Sequence, residues 1–172
     1  MSPDLGFIFS RRSVRRYTER GIPAETIQAL LEAAMAAPSA CCKDPWDFIV
    51  VGEQGMRDAI AAALPNGRML PQAPVGIVVC GDLQRANGGE LSYLLQDCAA
   101  AIENLLLAAH ASGLGACWLG VHPRPERVAH LRALFSLPEH IVPVSVIALG
   151  WPAEAPAPRS RYAEARVHRE HW

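Results

Sequence analysis

Apolar positions follow two patterns along this chain, a helical period of about 3.6 residues and short unbroken runs. Residues 24 to 36 put Ile27, Leu30, Leu31, Ala34 and Met35 on one face; Pro23 suits a first helical position and Pro38 stops the run, which predicts a helix. Leu91, Leu94, Leu95, Cys98, Ile102, Leu105, Leu106 and Ala109 form the stripe of a long helix that Gly113 can end. A third helix is predicted over about 124 to 136, carrying Val128, Leu131, Leu134 and Phe135. The unbroken runs Phe48 to Val51 and Val75 to Cys80 are each followed by a glycine that can end them, and with 115 to 121 and 141 to 149 they read as buried strands.

Helix and strand therefore alternate, which taken alone suggests a parallel α/β sheet. No repeat or linker interrupts residues 1 to 172, so a single domain is expected, of a size that buries roughly 70% of the unfolded chain's surface. The closing segment WPAEAPAPRSRYAEARVHREHW is too polar to make a core. It is either a frayed terminus or an arm laid over another surface, with Tyr162, Val167 and Trp172 as anchors and a dimer partner as the natural surface.

Composition excludes several classes of function. Hydrophobic residues are 51% and charged ones 19%, so the chain can fold on a core. A net charge of -1 offers no global basic field for nucleic acid. The stretch from 91 to 113 is broken by Gln96, Asp97, Glu103, Asn104 and His110 and reads as a core helix, not a membrane span. Five cysteines, with no signal-like apolar segment at the start, point to a reducing cytoplasmic compartment.

Positive charge is local. RRSVRRY, residues 11 to 17, packs four arginines into six positions. Arg11, Arg12, Ser13 and Arg15 supply guanidinium forks and a hydroxyl of the kind that grip phosphate oxygens. Alone, such a cluster reads as a solvated basic segment. Arg159 and Arg161, flanking Ser160, make a second small cluster near the other end, and the two can converge on one anion.

RRSVRRY followed by APSACCKDPWDFIVV resembles the paired N-terminal signature of the FMN-dependent nitroreductases, and GLGACWLGVHPRPERVAHLRALFSLPEHIVPVSVIALGWP with RSRYAEARVHREHW is similar to the C-terminal half of short members. The resemblance runs from about residue 7 to 172 in four ordered segments. It implies an α+β fold, a three-layer α/β/α arrangement with a mostly antiparallel sheet, in an intertwined homodimer with two FMN sites at the interface. The long helix is the candidate dimer core.

By the same resemblance, Arg11 and Ser13, helped by Arg12, hold the FMN phosphate, and Arg15 faces the pyrimidine edge. Arg159 and Arg161 close on the phosphate. Pro38, Ser39 and Ala40 line the flavin of the partner subunit; Leu119 and Gly120, beside Trp118, pass along its N5 edge; Arg68 matches a further basic residue loosely. The implied activity is ping-pong transfer of hydride from NADH or NADPH through FMN to a nitroaromatic or quinone, an oxidoreductase needing no side-chain nucleophile or acid. A fixed guanidinium at Arg15 favours the negative charge that reduction leaves near N1 and O2. An FMN enzyme for one specific metabolite, and a non-catalytic flavin-binding or redox-sensing module, are the alternatives.

Cys42 and Asp44 stand where members of the family commonly carry amides, which bears on the acceptor. The adjacent Cys41 and Cys42 make only a strained disulfide and have no metal-binding partner nearby, so packing is the expectation and a functional thiol the alternative. His122 either contacts substrate or packs; His110, His130 and His140 read as surface residues, and Trp46 as core. VCGDLQRANGG lacks GxGxxG, so no Rossmann dinucleotide site is expected.

Overall fold

In the computed structural model, residues 5 to 172 are described. Five helices and four strands alternate: α1 (Gly6–Ser10), α2 (Ala24–Met35), β1 (Trp46–Val51), α3 (Gln54–Ala62), β2 (Val75–Asp82), α4 (Leu91–Ala111), β3 (Gly115–Gly120), α5 (Pro125–Phe135) and β4 (Ile141–Gly150). The sheet has the order β1-β2-β4-β3, and every neighbouring pair is antiparallel. The parallel sheet suggested by alternation is therefore corrected, and the antiparallel one implied by the resemblance is found. β2 and β4 read like parallel strands because helices cover both faces, which removes the usual apolar-polar alternation.

Two cores flank the sheet. On one side α2 and α4 pack Leu30, Ala34, Ile102 and Leu105 against Ile77, Val79, Ile147 and Leu149. On the other, α3 and α5 pack Ile60 and Leu131 against Val78, Cys80, Val146 and Ala148. Each large aliphatic side chain buried here contributes about 2 kcal/mol. Beyond α4, Gly113 takes φ +76 and closes the helix as the sequence suggests.

Gly81, expected to end its strand, instead lies inside β2, where an added Cβ would come within 2.4 Å of Leu94. A register shift sets Val79 opposite Ser145 but Cys80 opposite Pro143, leaving Val144 as a bulged residue of β4. Its carbonyl accepts N–H groups from Val121 (3.2 Å) and His122 (3.1 Å), which fixes the path of the chain just past Gly120.

Candidate active site

Residues 11–17 meet both β3 and the closing arm. They run beside β3: Ser13 forms a parallel bridge with Ala116, and the Val14 N–H donates to the Ala116 carbonyl at 3.0 Å. Gly115 permits the approach, since a Cβ there would lie 2.7 Å from Val14. The closing arm then folds back on the same segment. Thr18 donates to Trp151 (2.9 Å), Ala153 donates to Arg16 (2.8 Å), and Tyr17 bridges Pro152. Glu154 Oε1 accepts the Arg15 backbone N–H at 2.6 Å, and the Arg12 guanidinium donates to the Ala157 carbonyl. The base of the arm thus packs on its own chain, while farther out Tyr162, Val167 and Trp172 stay exposed.

This pairing brings Arg11, Arg12, Ser13 and Arg15 together with Arg159 and Arg161 around a cavity of about 360 Å³. Ile8, Phe9, Ser160 and Tyr162 also line it, and no carboxylate of the described residues does. Arg11 also faces Glu103 of α4, Nε to Oε1 at 3.4 Å, which leaves the remainder of its fork for another acceptor.

A second cavity, about 560 Å³, adjoins the first at Arg15, which lines both. Its walls include Arg68, Cys117, Trp118, Leu119, Gly120 and Arg127, again with no carboxylate among the described residues. Leu119 is buried, whereas Trp118 and Gly120 are open. An added Cβ at Gly120 would meet no protein atom within 4 Å. Burial pushes the Cys117 thiol above its ordinary range, and the Arg15 guanidinium beside it offsets this only in part.

Several lining residues were missed in the sequence, among them Leu64, Met69 and Cys117 and, as polar groups, Arg127 and Asn66. Arg127, in the first turn of α5, donates from Nη1 to the Gly120 carbonyl at 2.8 Å, while its buried Nε has no partner among the described residues. Nothing in its sequence context sets it apart from an ordinary helical arginine. Asn66 lies in the turn before Arg68; the pair Asn66-Gly67 is a recognisable turn signal.

Pro38, Ser39, Ala40 and Cys42 line neither cavity. They occupy the loop before β1, at the opposite edge of the sheet from β3. The loop is strained, with Cys41, Cys42 and Asp44 at φ 53, 52 and 47. It is also pinned: the Ala40 N–H donates to buried Asp97 Oδ1 at 2.9 Å, and the Asp44 N–H donates to Ser39 Oγ at 2.9 Å. Both thiols are free and exposed, so the expected packing does not occur within the chain, where the tight left-handed turn places the two residues at the surface of the loop. The histidines also differ from expectation. His110 is half-buried and shares a 2.7 Å hydrogen bond with Ser10, half-buried His130 bonds the Ala59 carbonyl at 2.8 Å, and His140 is half-buried too. Trp46 is core as expected.

Among the described residues no helix is long and apolar enough to cross a membrane, and no group of three or more His, Cys, Asp or Glu converges on a metal position. Comparison with known proteins adds the lineage. The profile of the Nitroreductase family matches residues 8–68 and 54–151. The chain belongs to the nitroreductase family. Within that family, a protein of Methanothermobacter thermautotrophicus, provisionally named NADH dehydrogenase/NAD(P)H nitroreductase, is 47% identical over 98% of this chain and 87% of its own length. A solved structure from Parabacteroides distasonis with the same provisional name is 40% identical, covers 100% of both chains and superposes with a TM-score of 0.94. A provisionally named nitroreductase of Desulfovibrio desulfuricans, solved in complex with FMN, is 32% identical over 100% of this chain and 99% of its own, with a TM-score of 0.86.

Proposed function

We propose that this nitroreductase-family chain is an FMN-dependent NAD(P)H oxidoreductase working by ping-pong exchange, with nitroaromatic or quinone-type compounds as acceptors. The observation that carries the reading is the pair of adjoining cavities that share Arg15 and whose walls, among the described residues, have guanidinium groups but no carboxylate. When bound, FMN would supply the chemistry, taking a hydride from NAD(P)H and passing it to the acceptor.

The residues present fit that group. Arg11, Arg12, Ser13, Arg159 and Arg161 offer a phosphate dianion charge-assisted hydrogen bonds from both ends of the chain. Arg15 stands where a ring joined to that phosphate enters the larger cavity, and its fixed charge favours a reduced, negatively charged ring. Arg68 and Arg127 add to the positive field of the larger cavity. Gly120 leaves room for a flat ring against the backbone, as nothing of the chain fills the space its Cβ would take. In the homodimer we propose, Pro38, Ser39, Ala40 and Cys42 reach the cavity of the partner, which explains why a strained, pinned loop stands at the far sheet edge of its own chain.

The test is the visible spectrum of the purified protein followed by anaerobic titration with NADH and then NADPH. Flavin bands that bleach on titration support the reading, and steady NAD(P)H oxidation with menadione or a nitroaromatic supports the acceptor class. A protein that neither carries nor takes up FMN overturns it.

A further inference from the structure

A separate cavity of about 540 Å³ lies between the Tyr17–Glu19 segment, the start of α3 and the turn leading into β2. It shares no residue with the two cavities at Arg15. Its wall contains Arg57, only 7% exposed, whose guanidinium meets neutral acceptors alone. Nη1 donates to the Gly52 carbonyl and Nη2 to Gln54 Oε1 at 2.6 Å, whereas Nε has no partner. Among the described residues Arg57 makes no ion pair. A guanidinium buried this far is costly without an anion. Its position adds to this, because Arg57 follows the first turn of α3, which holds no acidic residue, and Glu53 at the N-cap makes no side-chain capping hydrogen bond.

The opposite charge is present but unused. Glu19 lines the same cavity, is exposed, and among the described residues makes neither an ion pair nor a side-chain hydrogen bond. Gln72, also in the wall, has a side-chain amide that makes no hydrogen bond to the described residues. Pro71, Ala73 and Pro74 with the Tyr17 ring leave apolar surface beside these groups. A cavity with one unpaired cation, one unpaired anion, a free amide and an apolar wall suits a molecule that carries both charges and a short side chain. Its volume falls within the range of small-molecule sites, roughly 300 to 1,000 Å³.

We propose that this cavity binds a zwitterionic ligand of the α-amino acid class, its carboxylate on Arg57 and its ammonium on Glu19. The site is independent of the flavin reading, since no residue is shared and its test reads no redox activity.

Three probes with related hydrocarbon chains separate the charges: L-norvaline carries both, pentanoate only the carboxylate and butylammonium only the ammonium. The readout is the side-chain amide resonances of Gln72 and Gln54 in the full-length protein. Norvaline should shift them saturably, pentanoate roughly 3- to 10-fold more weakly, and butylammonium not at all. Glu19→Gln, at an exposed position, should remove the advantage of norvaline over pentanoate. The proposal fails if norvaline causes no saturable shift, if pentanoate or butylammonium binds as tightly as norvaline, or if the advantage survives in Glu19→Gln.

Discussion

Gly120 separates what folding needs from what the site needs. Most close-packed glycines of the sheet are held by protein atoms, as Gly115 is by Val14, but Gly120 borders open space. Gly120→Ala should therefore leave the melting temperature unchanged while lowering FMN affinity by at least about tenfold, a loss of roughly 1.4 kcal/mol. Thermal melts and a flavin fluorescence titration on the same preparation check both halves. At Arg15 the expectation is electronic. Arg15→Gln keeps a donor but removes the charge that favours the reduced ring, so the flavin potential should fall by about 30 mV or more in spectroelectrochemical titration, equivalent to about 1.4 kcal/mol for two electrons.

The larger elements show what the pattern of residues conveys and where it stops. α2, α4, α5 and all four strands were legible because their apolar positions recur without interruption. α3 was not, because its two buried side chains are Ile60 and the charged Arg57, and an arginine at an inward position erases the helical signature. The convergence of residues on one cavity was legible where charge clusters, at Arg11 to Arg15 and Arg159 to Arg161, and illegible at Arg127 of the adjoining cavity, whose only distinction is spatial. Gly81 was misread for a related reason: a glycine in a strand pattern reads as a stop, yet here it receives Leu94 of α4. Gly81→Ala forces that contact below 3 Å and should cost about 1 to 3 kcal/mol in denaturant unfolding, with flavin binding per folded molecule retained.

Across the fold, burial sets the response to alkali. Cys80 and Cys98 are pushed up to about 12 from 9.0, chiefly by burial, and Tyr17 is raised for the same reason. Folding holds these groups in their neutral forms, so their contribution is fully present below the unfolded thiol value and is lost as pH rises from about 9 toward 12. Melting temperatures should be flat up to pH 8.5 and fall above 9; Cys80→Ala with Cys98→Ala should flatten that fall. The assembly is tested separately. Light scattering should give twice the 18.6 kDa chain mass. Removing residues 159–172 takes away Arg159, Arg161 and the exposed Tyr162, Val167 and Trp172. The truncated chain should be monomeric and bind FMN about 100-fold or more weakly, as expected for losing two charge-assisted contacts.

The packing of the closing arm on residues 11–17 also has a consequence for biosynthesis. Arg15 leaves the ribosome early, but Arg159 and Arg161 follow some 144 residues later, which at about 5 to 20 residues per second is roughly 7 to 29 s of translation. Until then residues 11–17 lack the arm that packs on them and the arginine cavity has only one of its two arginine clusters. If the cavity holds the FMN phosphate as proposed, a nascent chain grips it from one side only until the segment with Arg159 and Arg161 has been made, and tight capture of the cofactor follows that step.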